Sequence, residues 1–350
     1  MGYQALYRVW RPKNFEDVVG QVHITRTLQN AIMQDKFTHA YLFSGPPRGT
    51  GKTSAAKIFA KAVNCQNGPA LEPCNECDAC LGIQDGSISD VVEIDAASNN
   101  GVDDVREIRD KVKYAPSSVT YKVYIVDEVH MLSTGAFNAL LKTLEEPPKH
   151  VIFILATTEP HKLPLTIISR CQRFDFKRIA QSSMVARMQR IMEAEGINVT
   201  TEALEAIALS AEGGMRDALS LLDQAISYSE DQVQIDDVLA ITGSVSQSKL
   251  ANVVTEMYGN EVKAALLEVD QMIQEGKDPG RFVFDVIYYL RDLLLYQSAP
   301  SLENILERAI VDETFIEMAK QLDAEWIQMA IRELNQCQQE IKWTNSLRCL

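Results

Sequence analysis

The chain has no run of about 18 consecutive apolar residues, the least a membrane-spanning helix needs, although 46% of its 350 residues are hydrophobic. Its opening residues, Met1 to Arg8, lack the apolar segment of a secretory signal, and Leu6 stands where a myristoylation signal requires Ser or Thr. A cytoplasmic protein with no membrane partner is expected. Internal repeats and low-complexity tails are also missing, which argues against solenoids and disordered linkers. Seven cysteines are an odd count, and four of them fall between positions 65 and 80, so a disulfide framework is not expected. In a reducing compartment such a cluster reads as a metal site.

Positive charge is scarce. Lys and Arg number 34 against 48 Asp and Glu, a net charge of −14 that by itself argues against nucleic-acid binding. The distribution changes that reading. Residues 1–180 hold 21 Lys and Arg against 20 Asp and Glu, whereas the remainder hold 13 against 28. Contacts with a phosphate backbone are therefore expected from the first half, and protein contacts from the acidic second half.

The length suits two or three domains. In the first half, short β-branched runs alternate with helical stretches, which predicts an α/β fold with a parallel sheet. Strands are expected at Ala40–Ser44, Asp90–Asp95, Lys122–Asp127 and His150–Thr157, with helices at Lys52–Asn64, Asp103–Tyr114 and Phe137–Glu146. From Ile179 strand signals nearly vanish. Helical segments are expected at Gln181–Glu195, Thr201–Ala211 and Arg216–Ser227, then, after a linker at Thr242–Ser246, at Gln247–Gly276, Pro279–Gln297 and most of Asp312–Trp343. The expected division is an α/β domain over 1–178, a small helical domain over 179–243 and a helical C-terminal domain over 244–350.

Two motifs carry chemistry. Ser44-Gly-Pro-Pro-Arg-Gly-Thr-Gly-Lys-Thr53 follows a strand and opens a helix. Backbone N–H groups, the helix N-terminus, Lys52 and the Thr53 hydroxyl together suit phosphates and Mg²⁺. Gly45, Gly49, Thr50, Gly51 and Ser54 complete the candidate loop. Five residues separate Gly45 from Gly51 where four are usual, so one extra residue is expected at the loop entrance, with Gly49–Thr53 intact. The second motif is Asp127-Glu128 at a strand end. Asp127 would hold the Mg²⁺ hydration shell and Glu128 would polarise an attacking water. Alone, the acid pair could merely cap the next helix; with the loop it specifies an ATPase.

Cys65, Cys74, Cys77 and Cys80 offer four soft ligands within 16 residues, a set suited to a closed, structural Zn²⁺ site inserted over 65–80. An iron–sulfur cluster is the rival, for which the spacing is a poorer match.

Leu6-Tyr-Arg-Val-Trp-Arg-Pro12, the phosphate loop, the four-cysteine insert, Asp127-Glu-Val-His130, Asn138–Pro148, Ala156-Thr-Thr158, Ser169-Arg-Cys171 and Gly213-Gly-Met-Arg-Asp217 occur in that order. The set resembles the gamma/tau family of DNA polymerase III clamp-loader subunits, which are AAA+ ATPases. The resemblance covers essentially the whole chain and implies a AAA+ nucleotide-binding domain with zinc insert, a helical lid and an all-helical collar. It implies an ATP- and Mg²⁺-dependent motor that loads a sliding clamp onto primer–template DNA, in a hetero-oligomeric ring with other loader subunits and copies of itself. Among residues, it implies that Thr158 or Thr157 senses the γ-phosphate and that Arg216 reaches the nucleotide from the lid. It further implies that Arg170, which follows the fourth strand at the far edge of the domain from the loop, is donated to a neighbour's ATP. Tyr7, Arg11, Pro12, Val18 and Val19 would line the adenine pocket. Each has a plainer reading alone: Arg216–Asp217 as a surface ion pair, Thr157 as a strand-end hydroxyl, Ser169–Arg170 as a capping turn. Ser98–Gly101, before a helix, is either a DNA-backbone contact or a capped turn. The family's last collar helix would continue past Leu350, so a truncated or divergent product is expected. The alternatives to a motor subunit are a non-hydrolysing scaffold subunit and another AAA+ motor such as a branch-migration helicase.

Overall fold

The computed structural model describes residues 4–47, 49–229, 231–299 and 311–341. Five parallel strands, β1 (Ala40–Ser44), β2 (Val91–Asp95), β3 (Lys122–Asp127), β4 (Val151–Thr157) and β5 (Gln172–Asp175), form one sheet in the order β2-β3-β4-β1-β5. The first four match the expected strands to within a residue. The fifth was not expected from sequence. Gln172-Arg-Phe-Asp is short, and Phe174 is its only buried residue. It is strand because its backbone pairs with β1, from Tyr41↔Gln172 to Ser44↔Asp175, and such pairing leaves no hydropathy signal.

All residues of β1 and β4 are buried, as expected for strands covered on both faces. Side chains alternate between two layers. Tyr41, Phe43, Ile125 and Ile154 pack with Ile24, Leu28, Ala55 and Phe59 of helices Val22–Met33 and Lys52–Asn64. Leu42, Tyr124, Phe153 and Leu155 pack with Val105 of Val102–Val112 and with Phe137, Leu140 and Leu144 of Thr134–Glu145. The Thr134–Glu145 helix starts where the Ser133 hydroxyl accepts from Ala136 N–H.

The residues divide into two compact units. One comprises Met1–Ile197 with Ala211–Asp223, and the other Asn198–Ser210 with Gln224–Leu350. The second contains helices Thr201–Ser210, Ile235–Thr242, Gln247–Tyr258, Val262–Gln274, Pro279–Ser298, Glu313–Gln321 and Ala324–Ile341. Val254, Val286, Leu290, Phe315 and Ile327 lie in its core. The helical run expected over Gln247–Gly276 breaks at Gly259-Asn260, where Asn260 adopts φ 58°, a conformation that stops a helix. Trp343, Cys349 and the expected C-terminal continuation lie outside the described residues.

Asn64 ties the end of the phosphate-loop helix to the chain entering β3. It is buried, donates from Nδ2 to Tyr121 O (3.0 Å) and accepts at Oδ1 from Tyr121 N–H (2.7 Å). Asn64→Ala strands both backbone groups. A loss of about 1–3 kcal/mol is expected, read as a lower urea midpoint with unchanged secondary structure.

Candidate active site

β1 delivers the phosphate loop to the carboxyl end of the sheet, where ligands of open parallel sheets bind. Ser44 pairs with Thr157, and Gly45 N–H donates to Thr157 O (3.3 Å). Gly51 adopts φ 97°, a backbone region open mainly to glycine. From this turn the helix Lys52–Asn64 begins with no side-chain cap, so its first amides lack that partner at the positive end of the helix dipole. The Thr50 hydroxyl is buried and has no partner among the described residues. Uncapped amides beside a buried, unsatisfied donor fit a phosphate group. Arg48 of this loop lies outside the described residues.

Lys52 is nearly buried. Its ammonium donates to Pro46 O (2.7 Å) and Gly45 O (3.4 Å). Burial pushes its pKa below the usual lysine value, opposed by the nearby Glu128 and Asp127 carboxylates. Thr53 Oγ1 donates to Asp127 Oδ2 (2.8 Å), which sits at the end of β3. Asp127 Oδ1 accepts from Glu128 N–H (3.0 Å). Glu128 adopts φ 47°, unusual for a residue with a side chain, and its carboxylate accepts from Thr158 Oγ1 (2.9 Å) and Thr158 N–H (3.3 Å). His130 adjoins the same oxygen at 3.3 Å and the Thr157 hydroxyl at 3.1 Å. Thr158 thus bears on Glu128, while Thr157 is buried against His130.

Lys52, Thr53, Asp127 and Glu128 face a cleft of about 980 Å³ within the first unit, large for a small-molecule pocket. Gly49, Thr50, Gly51, Lys52, Thr53 and Ser54 line it, with Asp127 and Glu128. Tyr7, Arg11, Pro12, Val18 and Val19 line it too, as does Arg216. Arg216 stacks over Tyr7, its guanidinium carbon 5.2 Å from the ring centroid. Arg11 is turned toward Glu93 of β2, which also pairs with Lys57. Gly49 permits a close approach: a Cβ there would meet Arg216 Cβ at 2.5 Å, and Gly49 O accepts from Met215 N–H (3.0 Å).

Gly45, Thr158 and Arg170 do not line the cleft. Arg170 requires a correction. Its segment leads into β5, an edge strand that pairs directly with β1, so what separates it from the loop is distance along the strands and not across the sheet. Arg170 precedes β5 and so lies toward the amino ends of the strands, while the loop is at the carboxyl ends. A five-residue strand such as β1 separates the two levels by about 16 Å. Its guanidinium donates to Thr166 O (2.7 Å) and Glu145 Oε1 (2.8 Å). Sequence reasoning missed Trp10, Lys57 and Arg187 of the cleft. Arg187 pairs with Asp17 (3.1 Å), and Trp10 Nε1 donates to Glu195 Oε1 (2.8 Å). Lys57 was findable as a lysine on the phosphate-loop helix; Arg187 looks like any polar position of an amphipathic helix.

The four cysteines converge beyond the far end of the helix Lys52–Asn64 from the phosphate loop. One sulfur from each of Cys65, Cys74, Cys77 and Cys80 lies within 4.8 Å of the others. The Cys74–Cys80 separation is 3.9 Å, close to the about 3.8 Å edge of a tetrahedron with 2.3 Å zinc–sulfur bonds. Backbone N–H groups of Glu76 and Cys77 draw the Cys74 thiol down to about 6, while burial pushes Cys80 up. The set fits a metal ion.

An open parallel sheet with a glycine-rich loop after β1, a Thr–Asp pair and a second acid at the end of β3 defines a phosphate-loop nucleotide-binding domain. The fold is similar to that of a variant of Thermotoga maritima RuvB, which superposes with a TM-score of 0.50 at 17% identity, covering 73% of this chain and 85% of that one. Family models described as DNA polymerase III, delta subunit, DNA polymerase III clamp loader subunit, ATPase lid domain, and DNA polymerase III subunits gamma and tau domain III match residues 20–180, 183–231 and 233–348. Among relatives, DNA polymerase III subunit tau of Bacillus subtilis is 65% identical over 348 residues, covering 99% of this chain and 62% of that one. The Escherichia coli tau subunit is 42% identical over 301 residues (86% and 47%), and the Mycobacterium bovis gamma/tau subunit 44% over 313 residues (88% and 53%). The chain belongs to the gamma/tau family of DNA polymerase III clamp-loader subunits. It spans roughly half to three-fifths of these relatives' lengths.

Gly49→Ala tests the close approach. The added methyl group must displace Arg216 and strain the Met215–Gly49 hydrogen bond. A destabilisation of about 1–3 kcal/mol is expected, seen as a lower melting temperature; an unchanged one would contradict the geometry.

Proposed function

We propose that the chain is the ATP-driven motor part of a bacterial clamp loader. With other loader subunits and copies of itself it would place a sliding clamp on primer–template DNA within DNA polymerase III holoenzyme, in the cytoplasm. The observation that carries this reading is the convergence on one cleft of Lys52, the Thr53–Asp127 pair, Glu128 and Arg216. All four groups that a hydrolysing subunit needs in the loop and the acid pair (Lys52, Thr53, Asp127 and Glu128) are present, which favours a motor over a scaffold.

In this reading residues 1–178 are the ATPase domain, 179–243 the lid and 244–350 the collar. Lys52 exchanges the carbonyls of Pro46 and Gly45 for phosphate oxygens, an exchange made easy by its burial. Thr53 and Asp127 hold Mg²⁺, which neutralises charge on the phosphates. Glu128 leaves Thr158 to orient the attacking water, so Thr158 reports nucleotide state through that bond. Arg216, held over Tyr7, reaches the nucleotide from the lid, and the cysteine cluster holds a structural Zn²⁺. Ser98–Gly101 is read as a capped turn: Gly101 N–H donates to Asp104 Oδ2 (3.0 Å), and Asp103 and Asp104 occupy the first turn of the helix Val102–Val112.

Arg170 acts on a neighbour's nucleotide, because it lies about a strand's length from its own loop. Arg170→Ala should leave ATP affinity of the isolated chain unchanged while lowering clamp- and DNA-stimulated turnover of the assembly by on the order of 10³-fold. A loader mixing Lys52→Ala chains with Arg170→Ala chains should regain turnover that neither variant shows alone. An inactive mixture with assembly verified would overturn the trans role.

A further inference from the structure

The cysteine insert is tied by hydrogen bonds to the segment 13–18, of which Lys13, Asp17 and Val18 line the cleft. Between Cys65 and Cys74, Glu72 sends its carboxylate across to the segment 13–18. Oε2 accepts from Phe15 N–H (2.7 Å) and Oε1 from Glu16 N–H (3.2 Å), with Gln29 Nε2 donating to Oε1 (2.9 Å). Burial pushes the Glu72 carboxyl pKa up, and these backbone donors offset part of that. Asn75, between Cys74 and Cys77, holds φ 59° and donates to Asn14 Oδ1 (2.6 Å). On the phosphate-loop helix, the buried Lys61 donates to Lys13 O (2.9 Å) and to Asn75 Oδ1.

The segment so held ends at Val18, which lines the cleft. A Cβ on Gly51 would lie 3.1 Å from Val18 Cγ1, so Val18 packs on the turn that opens the phosphate loop. A chain of direct contacts therefore runs from the cysteine cluster through Glu72 and Asn75 to the segment 13–18, and from Val18 to Gly51. Arg187 pairs with Asp17 on the same segment.

We propose that Glu72 is a positioning residue for the nucleotide: metal binding by the cysteine cluster fixes Glu72, Glu72 fixes the segment 13–18 against Gly51, and metal affinity and nucleotide affinity are thereby coupled. The proposal rests on the nucleotide reading of the cleft given above. Coupling between two binding equilibria is reciprocal, so nucleotide must tighten metal binding by the factor by which metal tightens nucleotide binding.

The test is equilibrium competition for zinc between the full chain and a chromogenic chelator, with and without a saturating, non-hydrolysable ATP analogue and excess Mg²⁺. Nucleotide occupancy is read separately from a fluorescent analogue. In the native chain, bound nucleotide should tighten zinc binding about fivefold or more. Glu72→Ala should still take up one zinc per chain yet lose that difference, and Glu72→Gln, which keeps one acceptor oxygen, should retain part of it. Equal zinc affinity with and without bound nucleotide overturns the coupling, and a full effect in Glu72→Ala overturns the role of Glu72. A native chain that binds no nucleotide overturns the reading of the cleft instead. If Glu72→Ala does not fold, the native measurements decide the coupling and Glu72→Gln decides the role of Glu72, a full effect in that variant overturning it.

Discussion

The structure depends on bringing a lysine ammonium into a nearly dry site without losing its charge. Lys52 is held by two loop carbonyls and faces the carboxylates of Asp127 and Glu128. An unpartnered buried cation is strongly disfavoured, so its carbonyl and carboxylate partners must be fixed before ligand arrives. The parallel sheet does that. Ser44, Asp127 and Thr157 end the neighbouring strands β1, β3 and β4 at one level, so loop, acids and threonines meet with little freedom left to lose.

Around that centre the polar groups form linked pairs rather than isolated contacts. Thr53 engages Asp127, Asp127 engages the Glu128 backbone, and Glu128 engages Thr158. A change at the loop can pass to the end of β4 through three hydrogen bonds. The other wall is tied down as firmly: Leu6 N–H donates to the buried Asp223 (2.8 Å), Trp10 to Glu195, Asp17 pairs with Arg187, and Glu72 takes up Phe15 and Glu16.

Much of this was legible in the sequence, for identifiable reasons. Apolar runs that must be buried on both faces gave β1, β3 and β4 to within a residue, and Gly-Lys-Thr after a strand located the loop. The cysteine spacing alone anticipated four converging sulfurs. β5 was hidden because a short edge strand with one buried side chain carries no hydropathy pattern. The helix Val22–Met33 was readable but overlooked: Ile24, Leu28 and Ile32 recur every fourth residue and are buried. Arg170 was set at the wrong edge because strand order in a parallel sheet depends on crossovers, which local pattern does not encode. The contacts of Glu72 and Arg187 were beyond reach, since their partners are more than 40 residues away along the chain.

We propose that this cleft hydrolyses ATP in response to clamp and DNA. The most direct test is the ATPase rate of the assembled loader containing this chain, measured with clamp and primed DNA together, with each alone and with neither. Turnover should rise manyfold only when both are present. A rate indifferent to clamp and DNA, in an assembly whose nucleotide binding is verified, would contradict the account.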